Sequence, residues 1–109
     1  MANKLMFVCD YKSYYGGNFI PSLMAIEKML SKHGWTCLYI FPCETKERYW
    51  LRYMQDQNKH IQFVDFSQGQ KSFVNTIKDI SEKNEICIIH THFIKLMIAE
   101  MISFSCKDT

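Results

Sequence analysis

Two short stretches have residue types and spacing suited to chemistry: Gly16-Gly17 and His90-Thr91-His92. Glycine lets a backbone come close to a ligand, and a helix N-terminus presents unpaired N–H groups that favour an anion. Gly16 and Gly17, with Tyr15 before them and Asn18 after, are therefore candidates for binding a diphosphate or an acceptor group. Equally, the glycines could serve only to turn the chain. Histidines two apart on an extended chain share a face, so His90 and His92 can point the same way. Imidazole titrates near neutrality and suits hydrogen bonding or proton transfer at a hydroxyl. The bland alternative is a pair of structural histidines. Two histidines fall short of the three or four ligands of a zinc site, and no third ligand is near in sequence, so no metal is expected.

Cys9 poses a separate question, because a cysteine after a first strand can be a nucleophile. The phosphatase pattern C-x5-R fails, since the sixth residue after Cys9 is Tyr15. Asp10 next to it opposes thiolate formation. The G-x-G-x-x-G fingerprint and the G-x-x-x-x-G-K-[ST] loop are both absent, which argues against a nicotinamide enzyme or a P-loop ATPase. Tyr11, Tyr14 and Tyr15 flank the glycines and could stack on sugar rings. Tyr49, Trp50, Leu51 and Tyr53 read first as core packing, with a membrane- or partner-facing patch beside Arg48 and Arg52 as the alternative.

These residues must be positioned by alternating elements. Lys4–Asp10 is an uninterrupted apolar run that suits a strand buried on both faces. Phe19, Leu23, Ile26 and Leu30 then recur at helical spacing, with Glu27, Lys28, Ser31 and Lys32 opposite. Asn18 is the expected N-cap, Pro21 fits the first turn and Gly34 the stop. Trp35–Pro42 is a second strand, Glu44–Gln57 a helix and Ile61–Phe66 a third strand. Ser67 and Gln70 have capping-box spacing ahead of a helix that carries Phe73, Val74, Ile77 and Ile80. Glu85–His90 is a fourth strand, and a last helix is predicted over Phe93–Phe104. Such β-α alternation predicts a three-layer, Rossmann-like parallel sheet in the order 3-2-1-4 with right-handed crossovers. The open edge of its fourth strand favours association. Ligands of such sheets bind beyond the carboxyl ends of the strands, where both glycines and both histidines fall.

Composition sets outer limits. The chain has 109 residues, one domain's worth, with 48% hydrophobic and 15% aromatic residues, which excludes a disordered chain. A net charge of +2 gives no sign of a nucleic-acid binder. No apolar run approaches a membrane span, and no secretory signal is read at the N-terminus. The five cysteines are odd in number and lack CxxC spacing, and Cys9, Cys37 and Cys87 lie in apolar runs. They read as small buried hydrophobes of a reducing, cytoplasmic compartment.

Taken in order, KLMFVCDYKSYYGGNFIPSLMAIEKMLSKHGWTCLYIF and EICIIHTHF resemble the amino-terminal half of a GT-B glycosyltransferase of family four (the group one type). The shared features are a Gly-Gly loop after the first strand, a His33-Gly34 turn before the second, and His-x-His plus an aromatic after a later strand. The resemblance implies a retaining enzyme with no cofactor, moving a sugar from a nucleotide-sugar donor to a glycan or lipid-linked acceptor. It puts Gly16 and Gly17 near the donor diphosphate and His90 or His92 at the acceptor or reaction centre. Residues 1–109 then form the acceptor-side domain, a truncated amino-terminal half that is inactive alone. The partner is a donor-side domain, in cis or in trans. A peripheral contact with the inner membrane face and a homodimer stay open. So do two alternatives: a phosphocarrier or phosphatase working through Cys9, and a non-catalytic interaction subunit.

Overall fold

A computed structural model describes residues 3–92. Four parallel strands, β1 (Asn3–Cys9), β2 (Trp35–Pro42), β3 (His60–Val64) and β4 (Ile88–His92), form one sheet in the order β3-β2-β1-β4. Three α-helices link them: α1 (Phe19–Ser31), α2 (Tyr49–Asp56) and α3 (Gln70–Lys83). The predicted strand order is the one found.

β1 is the centre of the sheet. It pairs with β2 from Asn3↔Trp35 to Val8↔Ile40, and with β4 from Leu5↔Ile88 to Cys9↔His92. Its alternate residues feed two cores. Leu5, Phe7 and Cys9 pack with Ile20 and Leu23 of α1 and with Trp50, Leu51 and Met54 of α2. Met6 and Val8 turn the other way, onto Phe73, Ile77 and Ile80 of α3. Burial on both faces explains why this strand carries no polar interruption. On the α1/α2 face, Phe7 stacks on Tyr39 with ring centroids 5.2 Å apart.

Several boundaries differ from the sequence reading. The helix predicted from Glu44 is split into a 3-10 turn, Cys43–Glu47, and α2. Thr45 Oγ1 donates to the Pro42 carbonyl at 2.7 Å, and Arg48 is extended at ψ 144°, which breaks the helix between them. The third strand stops at Val64 because Asp65 accepts hydrogen bonds from the Ser67 amide and hydroxyl. That use of Ser67 also removes the predicted capping box, and the residue before α3 is Gly69. Asn18 does not cap α1 with its side chain. It is already helical at φ −89° and ψ −14°, because the chain turns one residue earlier at Gly17.

The fourth strand begins later than predicted. Glu85 turns the chain at φ 54°, the Ile86 amide still bonds back to Ser81, and pairing with β1 starts only when Cys87 N–H donates to the Lys4 carbonyl at 2.8 Å. His92 therefore lies inside the strand, not in a turn after it. The helix predicted over Phe93–Phe104 falls outside the described residues, as does Cys106.

Leu51 is fully buried between α2 and the sheet, whereas Met29 is 64% exposed on α1. Leu51→Ala should cost about 2–5 kcal/mol of stability. Met29→Ala should change it by less than about 0.5 kcal/mol. Urea unfolding monitored by circular dichroism would read both; equal shifts in midpoint would contradict this packing.

Candidate functional site

At the carboxyl end of the sheet the loop after β1 is tied to α2. Trp50 Nε1 donates to the Ser13 carbonyl at 2.9 Å, and the Arg48 guanidinium donates to the Lys12 carbonyl at 3.1 Å. Arg48 also lies 4.1 Å from the Tyr14 ring centroid. Tyr11 packs on Trp50 and Phe19 and donates its hydroxyl to the carbonyls of Tyr15 and Gly16. These bonds fix the path of the chain into α1. Tyr11 is thus a structural tyrosine, while Tyr14 and Tyr15 keep their rings in solvent.

Both glycines have physical reasons to be where they are. A Cβ on Gly16 would lie 3.1 Å from Trp50 Cβ, so the turn that enters α1 packs tightly against α2 at a position without a side chain. Gly17 sits at φ +54°, a conformation that side chains disfavour. The Gly16 carbonyl then accepts from the Ile20 amide at 3.2 Å and starts the helix.

The histidine pair stands on the other flank of α1. On the face that carries α1 and α2, β4 presents Ile88, His90 and His92, opposite Leu5, Phe7 and Cys9 of β1. The two rings are neighbours, with centroids 4.3 Å apart, as their spacing predicts. His92 meets the Phe19 ring edge-on at 5.2 Å, and both histidines contact Phe7. Phe19, the first residue of α1, thereby links the histidines to Tyr11 and the glycine turn. His90 is exposed and His92 half-buried. Tyr15, Gly17 and Asn18 are exposed at the turn itself.

His92 carries the clearest chemical signal. Its Nε2 is buried without a hydrogen-bond partner. Burial, assisted by His90, lowers its pKa below the usual histidine value, so the ring is neutral at neutral pH. A neutral imidazole with an unpaired nitrogen can accept a proton or hydrogen bond from a hydroxyl. Across the sheet, the Asp10 amide donates to the His92 carbonyl at 3.1 Å and extends the β1–β4 ladder by one bond. Asp10 Oδ1 is likewise buried and without a hydrogen bond, with the Lys12 ammonium 3.8 Å away. Nothing in the sequence singled out Asp10 as a site residue; its place after β1 and level with β4 was the available signal. Among the described residues no three His, Cys, Asp or Glu side chains are grouped to hold a metal.

Cys9 lies wholly inside the α1/α2 core, and burial raises its pKa far above the ordinary thiol value. A nucleophilic reading of this residue gains no support from such a position.

A second polar cluster leaves no signal in the sequence pattern. Glu27, predicted on the solvent face of α1, is turned inward. Its Oε1 accepts from the Tyr39 hydroxyl at 2.7 Å and pairs with Lys59 Nζ at 3.1 Å. Burial first, then the Glu27 hydrogen bond, raises the Tyr39 pKa; burial and the Glu27 charge push Cys37 up to about 11, against the opposing pull of Lys59. Between this cluster and the glycine turn, α1 and α2 enclose a groove of about 860 Å³. The Tyr49–Tyr53 stretch divides accordingly: Trp50 and Leu51 are core, while Tyr49 and Tyr53 are exposed on its rim. No helix among the described residues is long and apolar enough to cross a membrane.

No family model, no curated protein and no solved structure matches the chain.

Two outcomes follow from the site. Because the folded state lowers the His92 pKa, it binds fewer protons than the unfolded chain as pH falls below the unfolded histidine value of about 6.5. Stability should thus be full above that value and decline as pH drops through the folded pKa. His92→Gln should flatten the decline in urea midpoints measured between neutral and mildly acid pH; an unchanged slope would contradict burial of the ring. Iodoacetamide at neutral pH should label exposed Cys43 and spare Cys9 until denaturant is added, as read by peptide mass spectrometry. Rapid labelling of native Cys9 would contradict the packing.

Proposed function

We propose that the chain is the acceptor-side domain of a GT-B glycosyltransferase, a retaining enzyme of the family-four type. It receives a glycan or lipid-linked acceptor, while a donor-side domain, in cis or in trans, holds most of the nucleotide sugar. The observation that carries this reading is the neutral His92, with an unpartnered buried nitrogen, at the carboxyl end of β4 and edge-on to the first residue of α1. Open parallel sheets bind their ligands at that end. The sheet order β3-β2-β1-β4 and the Gly-Gly turn between β1 and α1 are compatible with the same assignment.

The chemistry follows from the charges that sugar transfer creates. Positive charge develops at the anomeric carbon and negative charge on the leaving diphosphate. The N–H groups at the start of α1 can stabilise an anion near Gly16 and Gly17. The exposed His90 meets an acceptor hydroxyl directly, and His92, neutral, accepts a hydrogen bond at its buried Nε2 once the bound acceptor displaces what covers it. Closure of a two-domain cleft would exclude water and protect the donor from hydrolysis. The proposal puts the enzyme in the cytoplasm, in peripheral contact with the membrane face where the acceptor is lipid-linked.

A second reading, a non-catalytic subunit or homodimer joined through the sheet, rests on β4. Among the described residues it pairs only with β1, and Ile88 is 43% exposed.

The test is a titration of the isotope-labelled chain by NMR, with nucleotide sugars and with a panel of oligosaccharides. Binding of at most millimolar strength is expected, with shifts centred on Gly17, Asn18, Phe19 and the two histidine rings, and lost in His92→Ala. Micromolar binding of a nucleotide sugar would contradict the acceptor-side assignment. Silence of these residues towards every sugar would contradict the function, and a rise in mass on concentration with no sugar response would favour the subunit reading.

A further inference from the structure

The α1–α2 groove is separate from the histidine pair; Tyr15, Gly16 and Gly17 line its near end, and the chemistry of its far end does not rest on the glycosyltransferase reading. Its volume of about 860 Å³ falls within the size range of small-molecule sites. The floor is apolar: Ile20 and Met24 of α1 face Trp50 of α2. One rim carries tyrosine rings in solvent, Tyr49 at 87% and Tyr53 at 56% exposure. Aromatic side chains in such positions offer a large apolar area with a polar tip at low entropic cost.

Charge decides which ligand suits the far end. Glu27 has its carboxylate engaged by the Tyr39 hydroxyl and by Lys59. Lys59 uses one contact on Glu27 and, as an ammonium, has further donors for the groove it lines. Lys28 lines the same end, is exposed, and has no carboxylate within ion-pair distance among the described residues. Two ammonium groups against one carboxylate leave a net positive end to an apolar, aromatic-rimmed trough. A cationic ligand would meet two like charges there, and a neutral one would leave the ammonium groups uncompensated.

We propose that the α1–α2 groove binds a small amphiphilic anion. Its apolar or aromatic body lies along Ile20, Met24 and Trp50, and its acidic group meets Lys28 and Lys59. The pairing of Lys59 with Glu27 holds one ammonium in place before the ligand arrives, so less side-chain freedom is lost on binding.

The probe is 1-anilinonaphthalene-8-sulfonate, an aromatic body with one fixed negative charge, added to the full chain. A single saturable site is expected, with energy transfer from tryptophan and with affinity that falls as salt rises. The neutral analogue N-phenyl-1-naphthylamine should bind about tenfold more weakly, since it lacks the charged contact. Ala25 lines the groove from an exposed position on α1, so Ala25→Trp should fill the groove and abolish binding. Lys28→Glu, also at an exposed position, should weaken the sulfonate about tenfold and leave the neutral analogue unchanged. Circular dichroism confirms folding of each variant, and Lys28→Glu carries the test by itself where Ala25→Trp fails to fold. Equal affinity for the charged and neutral probes, or sulfonate binding indifferent to Lys28→Glu, would overturn the proposal.

Discussion

Everything in this domain hangs on β1 being paired on both edges and buried on both faces. Its hydrogen bonds to β2 and β4 leave no free register for either neighbour. A slip of one residue would carry His90 and His92 to the α3 face and drive Ile89 and Thr91 towards α1, because side chains alternate along a strand. The cost would fall on both cores together, since Leu5, Phe7 and Cys9 serve one and Met6 and Val8 the other. A site built on strand ends is thus positioned by a strand paired on both edges and buried on both faces.

Layering then decides what is left open. Among the described residues, both α1 and α2 lie on the face of β1 to β3 and leave the same face of β4 to Ile88, His90 and His92. On the opposite flank of α1, Gly16 brings the turn before that helix against Trp50 of α2, and the groove lies between the two helices beyond this contact. One helix thereby separates two surfaces of different chemistry: a pair of imidazoles on one side and an apolar trough with a cationic end on the other.

The period of the apolar residues was enough to read the element order and the sheet order, because buried parallel strands and amphipathic helices leave distinct patterns. The shared face of His90 and His92 was legible for the same reason. What stayed hidden depended on partners distant in sequence. Glu27 looks like a solvent residue until Tyr39 and Lys59 are brought to it from β2 and the turn before β3. The start of β4 is not legible in the apolar pattern because Ile86 is apolar yet still bonds back to Ser81. Ser67 and Gln70 have capping spacing, but Asp65 outcompetes the helix for the serine. Local side-chain bonds of this kind compete with secondary structure and leave no trace in the apolar pattern.

The placement of His92 against the start of α1 is the feature on which the proposed chemistry turns. Nuclear Overhauser contacts in the labelled chain measure it directly. The arrangement predicts cross-peaks between the His92 and Phe19 rings, between the two histidine rings, and from His90 to Phe7. Contacts from Ile89 or Thr91 to Phe7 and Phe19 in their place, with both histidines against α3, would contradict it.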